Sequence, residues 1–450
     1  MQQSKPRRRR RRRNQGVERL KTLLIVLLSL SAVYLTGLAL IQNEAASGTQ
    51  GLLGGLISLF HPTHANSTLS SDSGGQLTAA ARPVRIALYD GENRYAVQYD
   101  TTQTDKLYDS VGILLGEALT SAARPVSVPE ADWRTALQSP GIWFDFLGHI
   151  PLETLSAWTG EGSGNTALTG SVRQIAVARV DGEVRLYYHN ESDGLYYACE
   201  TAVVYEGHMD QLLSGYGGNG TFFVFELGED SGYSGLDPYM LLSAATPTPT
   251  VYRASNPLAS LDDTLIGALQ QALSFQTSYY PIPNGIRIRE GQETLEISST
   301  GTVSYSTAEG TASRYPVGSE SGYDVTEIVE TTRKMAADTV GSYCAAARLY
   351  LMAVEKTDDG LEVRYGYSLN GAEVSLPGGG CAAHFTIQDG QITAFTLCFR
   401  RYEDAGQTSL VLQERMAAAA LDALSPEGRE LLLCYRDNGG ETVQAGWVAK

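Results

Sequence analysis

Twenty consecutive residues, TLLIVLLSLSAVYLTGLALI from Thr22 to Ile41, contain no charged group. An α-helix rises about 1.5 Å per residue, so about 20 apolar residues cross the hydrocarbon core of a bilayer. Just before this stretch stand Lys5, Arg7, Arg8, Arg9, Arg10, Arg11, Arg12, Arg13, Arg19 and Lys21, against one acid, Glu18. After it, the next Lys or Arg is Arg82. The positive-inside rule then predicts a single-pass protein in the cell membrane, with residues 1–21 as a cytoplasmic tail and the main body outside. The basic residues set topology and can lie on anionic lipid headgroups. A cleaved signal peptide is the competing reading, but its apolar core is usually about 7–15 residues, and Ala45-Ala46-Ser47 is a mediocre cleavage site.

The charge is unevenly divided. The whole chain carries −16, the first 21 residues carry +9, and the rest therefore carries −25. An acidic body repels nucleic acid, which removes DNA and RNA as main partners.

Within the span, Thr22, Ser29, Ala32, Thr36 and Ala39 recur at helical spacing and are all small. Small residues let a second helix approach closely in lipid, so this face is a candidate contact with a partner's membrane helix. An ordinary lipid-facing anchor also accommodates such residues. Residues 42–82 read as a flexible tether rich in Ser, Thr, Gly and Ala. Within it, GLLGGLISLF, Gly51 to Phe60, is too short to span and can lie on the outer leaflet.

Ordered sequence resumes at VRIALYDGENRYAVQYD, two strands around Asp90-Gly91. A helix is expected over about 104–121, with Leu107, Val111, Leu114, Leu115 and Ala118 inward. GIWFDFL, 141–147, reads as a strand, followed by three strands turning at Asp181-Gly182 and Asp193-Gly194, and by TFFVFEL, 221–227. An N-terminal α+β domain is expected over 83–245, ending at the stiff connector ATPTPT. Beyond it, helix-plus-antiparallel-meander modules are expected over 255–323 and 324–450. Their helices are placed from Ser260, from near Asp324 with Glu327 three residues on, and over about 408–424. ITAFTLCFRRY reads as one strand. The fold class is α+β, with one N-terminal transmembrane helix.

No catalytic, cofactor or metal motif emerges. Gly215-Tyr-Gly217-Gly-Asn-Gly220 matches G-x-G-x-x-G, but a strand follows it where a dinucleotide site needs a helix, so it reads as a glycine loop. His149 and His384 lack ligand spacing. Asp262-Asp263 and Asp358-Asp359 fall at a helix start and a turn. Five scattered cysteines form no C-x-x-C and read as buried thiols. The 25 tyrosines against 10 phenylalanines suit contact surfaces or simply strands.

Three stretches carry a family resemblance. VERLKTLLIVLLSLSAVYLTGLAL resembles the N-terminus of the YycH/YycI regulators of Gram-positive bacteria. GIWFDFLGHIP, Gly141 to Pro151, is similar to an early extracellular segment of YycH. LEVRYGYSLNGAEV, AAHFTIQDGQITAFTLCFRRYE and LLLCYRDNGGETVQAGWVAK resemble the C-terminal helix-plus-meander part, including a Trp close to the end. The resemblance implies a non-enzymatic role in a two-component system. It implies binding to a WalK-type sensor histidine kinase that controls cell-wall metabolism, with a homologous regulator as a further partner and no cofactor. The residues leave two alternatives open: a surface-anchored cell-envelope hydrolase, and an extracellular module binding peptide or wall fragments.

Overall fold

Two periodicities build most of the ordered chain, period 2 in the strands and 3.6 in the helices. The structure is a computed structural model that describes residues 82–450, apart from 161–163, 229–232, 234, 319–323 and 425–429. The basic tail, the uncharged span with Thr22, Ser29, Ala32, Thr36 and Ala39, and the tether up to residue 81 lie outside the described residues. No described helix is long and apolar enough to cross a membrane.

The elements run β1 (Arg85–Tyr89), β2 (Arg94–Gln98), α1 (Thr101–Ser121), β3 (Val126–Val128), α2 (Glu130–Leu137), β4 (Gly141–Pro151), α3 (Leu152–Thr159), β5 (Ser171–Val180), β6 (Glu183–Asn190) and β7 (Leu195–Glu200). Next come α4 (Asp210–Ser214), β8 (Phe222–Phe223), β9 (Leu241–Leu242), β10 (Thr250–Ser255), α5 (Asp263–Ala272), β11 (Tyr280–Ile282), β12 (Gly285–Glu290), β13 (Glu293–Ser298), β14 (Thr302–Thr307) and α6 (Val325–Ala336). The chain closes with β15 (Arg348–Thr357), β16 (Gly360–Leu369), β17 (Ala372–Ser375), β18 (Ala383–Gln388), β19 (Gln391–Cys398), β20 (Arg401–Thr408), α7 (Glu414–Leu424), β21 (Leu431–Arg436) and β22 (Thr442–Ala449).

Among the described residues, β1 to β7 form an antiparallel sheet in the order β2-β1-β4-β5-β6-β7-β3. Its alternation is sharp. Ile86, Leu88, Phe144, Ile175, Val177 and Leu186 lie in the main core with α1 residues Leu107, Val111, Leu114 and Leu115. The intervening Ala87, Ala96, Ala176, Ala178 and Ala198 form a second cluster with Trp133 of α2, Trp143 and Phe223. Large residues on one face and mainly alanines on the other let both faces be covered.

The strands β10 to β22 form a larger sheet, antiparallel except where β17 runs parallel to β21. β14 pairs with β19, so strands from before and after position 323 share this sheet. One face is apolar: Ile286, Ile288, Leu295, Ile297, Val303, Phe385, Phe395 and Leu397 join the core with Ile266 and Leu269 of α5 and Ile328 and Val329 of α6. The two sheets meet at β4. This strand bulges between Asp145 and Ile150, with Leu147 in the left-handed region at φ 71°. There Gly148 comes so close to β15 that an added Cβ would lie 2.0 Å from the Leu351 carbonyl oxygen.

Several local expectations are corrected. Residues 221–227 are not one strand: only Phe222–Phe223 pairs, and Val224–Glu226 turn as a 3₁₀ segment. The Glu226 carboxylate takes the Phe223 N–H at 2.9 Å and pairs with Arg94, so the chain bends back. The helix placed at Ser260 starts at Asp263 instead, capped by Asp262, which accepts from Leu265 N at 2.9 Å. Residues 401–408 are strand β20, paired to β10, so the last helix begins only at Glu414. ITAFTLCFRRY divides into β19 and β20 around Phe399-Arg400, where the Arg400 guanidinium is held by Asp437 at 2.7 and 2.8 Å. The helix at Asp324 is as expected, with Asp324 accepting from Thr326 N at 2.8 Å.

Candidate functional site

The candidate membrane face and the basic tail fall outside the described residues, so the geometry concerns the body alone. A four-residue charge cluster is buried where the two sheets meet. Arg85 of β1 places Nη2 2.7 Å from Asp145 of β4 and 2.9 Å from Glu430, just before β21. Arg173 of β5 meets Asp145 at 2.9 Å and 3.2 Å, and Glu430 at 2.6 Å and 2.8 Å. Two guanidinium groups and two carboxylates leave no net charge, the condition under which buried ions are tolerated. Burial opposes ionisation of Asp145, but Arg173 and Arg85 outweigh it and hold its carboxyl down at about 2. Glu430 is lowered too, with Arg173 and Arg85 overcoming burial. Carboxylates this acidic are locked as anions, which suits a clamp rather than proton transfer.

The other titratable candidates have structural partners. His149 lies within β4, rather than after a strand, and its Nε2 is 3.3 Å from Glu191. His384 of β18 is 3.2 Å from Glu362 across the ladder to β16. Among the described residues no group of three or more His, Cys, Asp and Glu is placed to hold a metal ion. Burial pushes the thiols up, Cys199 to about 12 and Cys344 and Cys381 to about 11, so these remain protonated.

The glycine loop of residues 215–220 has a concrete role. Asn219 Nδ2 donates to Ala96 O at 2.7 Å, its Oδ1 accepts from Ala96 N at 3.2 Å, and Asn219 N donates to Arg94 O at 3.0 Å. The loop thus pairs with the outer edge of β2, which would otherwise offer free backbone groups. Gly218 lies against Asn93, where an added Cβ would be 3.1 Å from the Asn93 Cβ.

About half of the described tyrosines are buried core residues. Tyr365, Tyr367, Tyr402 and Tyr435 are fully buried. Their hydroxyls donate to Val329 O at 2.9 Å, Cys398 O at 2.8 Å, Asp437 Oδ2 at 2.8 Å and Thr250 O at 3.0 Å. β-propensity accounts for them, with the polar tip satisfied by backbone or carboxylate.

What the body leaves open is the second face of the larger sheet. Glu296, Ser304, Thr396, His384 and Arg364 stand in one cross-strand row through five strands. Thr294, Ser306, Ala394 and Thr386 form the next. Apart from Ala394 these side chains are polar, and all are half-buried or exposed. A 910 Å³ cleft continues this face to the strand ends, where Glu309, Asp359 and Asp389 line it. The sequence showed the alternation of these strands but not which face stays uncovered, because that depends on where α5 and α6 dock.

No family model matches the chain, and no curated protein does. The crystal structure of YycH from Bacillus subtilis is similar to this structure, with a TM-score of 0.50 at 13% sequence identity. The similarity covers 83% of this chain and 95% of that one. What the chain shares with that protein, at this identity, is its fold, and the fold of the body is YycH-like.

Proposed function

We propose that this protein is a membrane-anchored, non-enzymatic regulator that binds and modulates a sensor histidine kinase controlling cell-wall metabolism. The observation that carries the reading is the fold shared with YycH over 95% of that chain. It is joined by the sequence pattern of a basic block followed by an uncharged twenty-residue span. In this reading residues 1–21 are cytoplasmic and contact anionic lipid, residues 22–41 cross the membrane, and the α+β body acts outside the cell. A homologous regulator is a further partner in the same complex. The open polar face of the larger sheet is the place this reading assigns to outer-domain contacts.

The test is cross-linking in intact membranes followed by affinity capture of the full chain and mass spectrometry. A sensor histidine kinase enriched over capture with an unrelated single-pass protein supports the reading. Capture that yields the protein alone, at matched expression and cross-linking yield, overturns it.

A further inference from the structure

Helix α7 is pinned to the first sheet through one carboxyl–amide pair. Gln98, the last residue of β2, donates Nε2 to Glu414 Oε2 at 2.7 Å, and Ser243 N donates to the same oxygen at 2.7 Å. Glu414 is only 1% exposed although it is the first residue of α7. Gln98 Oε1 is buried and has no hydrogen-bond partner among the described residues. A carboxylate offers acceptors only and cannot supply the missing donor, whereas a carboxylic acid has an O–H to give. The amide and the acid are then mutually complementary, each donating once and accepting once.

The surroundings bear on the same proton. The ionisable groups acting on Glu414 are Arg85 of β1 and Arg415 of α7, both favouring the anion, while Tyr99 beside β2 is a buried phenol. Arg85 is already committed to Asp145 and Glu430. Arg415 turns away, donating Nη2 to Gly220 O at 2.6 Å. Glu430, which leads into β21 under α7, is neutralised by Arg85 and Arg173. Burial therefore dominates over Ser243 N, Arg85 and Gln98, and raises the Glu414 carboxyl to about 7.

What α7 covers is a small satellite core. Ala417 and Ala418 pack with Val224, Leu236, Met240, Leu242 and Leu431. Just outside it Leu410, Leu412 and Met416 are solvent-exposed. We infer that Glu414 holds its proton in the docked structure and that losing it releases a pH-sensitive latch, freeing α7 from β2 and uncovering this satellite core. Because the docked pKa lies above that of an exposed glutamate, docking is favoured most below the ordinary glutamate pKa and weakens as pH rises from there to about 7, where the loss is complete.

The test is hydrogen–deuterium exchange of the full chain in detergent micelles, with times corrected for the intrinsic pH dependence. Protection of peptides within 409–424 should fall by about tenfold per pH unit between about pH 5 and pH 6.5, where one proton is released per opening, and level off above about pH 7. Peptides from β5 and β6 should keep theirs. Glu414→Gln keeps a donor permanently and should stay protected throughout this pH range. Unchanged wild-type protection, or the same pH response in Glu414→Gln, overturns the latch. If that variant misfolds, ¹³C-carboxyl titration of the wild type decides: no glutamate titrating near pH 7 overturns the proposal, and one that does supports it.

Discussion

Arg173 and Glu430 grip each other through two parallel hydrogen bonds, Nη1 to Oε2 at 2.6 Å and Nη2 to Oε1 at 2.8 Å, across 257 positions of sequence. The pair ties β5 of the first sheet to the start of β21 in the second. Arg85 and Asp145 close the quartet, so each charge has two opposite neighbours.

Glu430→Ala should destabilise the body by about 3–5 kcal/mol, since it leaves two buried guanidinium groups facing Asp145 alone. Urea denaturation followed by tryptophan fluorescence checks this. Arg173→Ala combined with Glu430→Ala should cost less than the sum of the two single changes, because the pair is removed together.

The quartet also sets an acid limit. The Asp145 carboxyl sits at about 2 in the folded chain, below its unfolded value, so its stabilisation is complete above about pH 4 and is lost as pH falls towards 2. Thermal melts of the wild type should drop across this window. Asp145→Asn should be less stable at pH 6 and change less between pH 4 and pH 2. The Glu414 latch has the opposite sign, which separates the two effects.

Gly148→Ala should cost about 1–3 kcal/mol, because the new methyl group meets the Leu351 carbonyl at 2.0 Å and β4 or β15 has to shift. Gly446→Ala in β22, with open space around it, should be near neutral. Melting temperatures of the two variants measure the difference. Equal values would mean that the sheets yield at this contact.

The proposed membrane contact predicts a different pattern. If Thr22, Ser29, Ala32, Thr36 and Ala39 face the kinase's transmembrane helices, Ala32→Leu or Ala39→Leu should block close approach while keeping insertion and topology. Leu27→Ala and Leu35→Ala, on other faces, should matter less. Cross-linking to the kinase at matched membrane levels reads this out. Equal signal from both sets would place the contact in the outer body alone.

Local chemistry determined much of the secondary structure. Asp181-Gly182, Asn370-Gly371 and Asp389-Gly390 each place two residues at positive φ, as tight hairpin turns require. The α1 stripe from Leu107 to Ala118 follows the helix repeat and is buried as its spacing implies. Asp324 caps its helix with its own side chain. Tertiary structure decided the rest. Arg85, Asp145, Arg173 and Glu430 carry no shared spacing, and only the meeting of two sheets makes them one cluster. The G-x-G-x-x-G loop acquires its role because β2 has an edge to cover, and residues 401–408 become a strand because β10 is there to pair with them. A turn or a cap is settled within about four residues of chain, so it is written locally. Sheet neighbours, uncovered faces and buried ion pairs depend on residues hundreds of positions apart, and are settled only when the backbone closes around them.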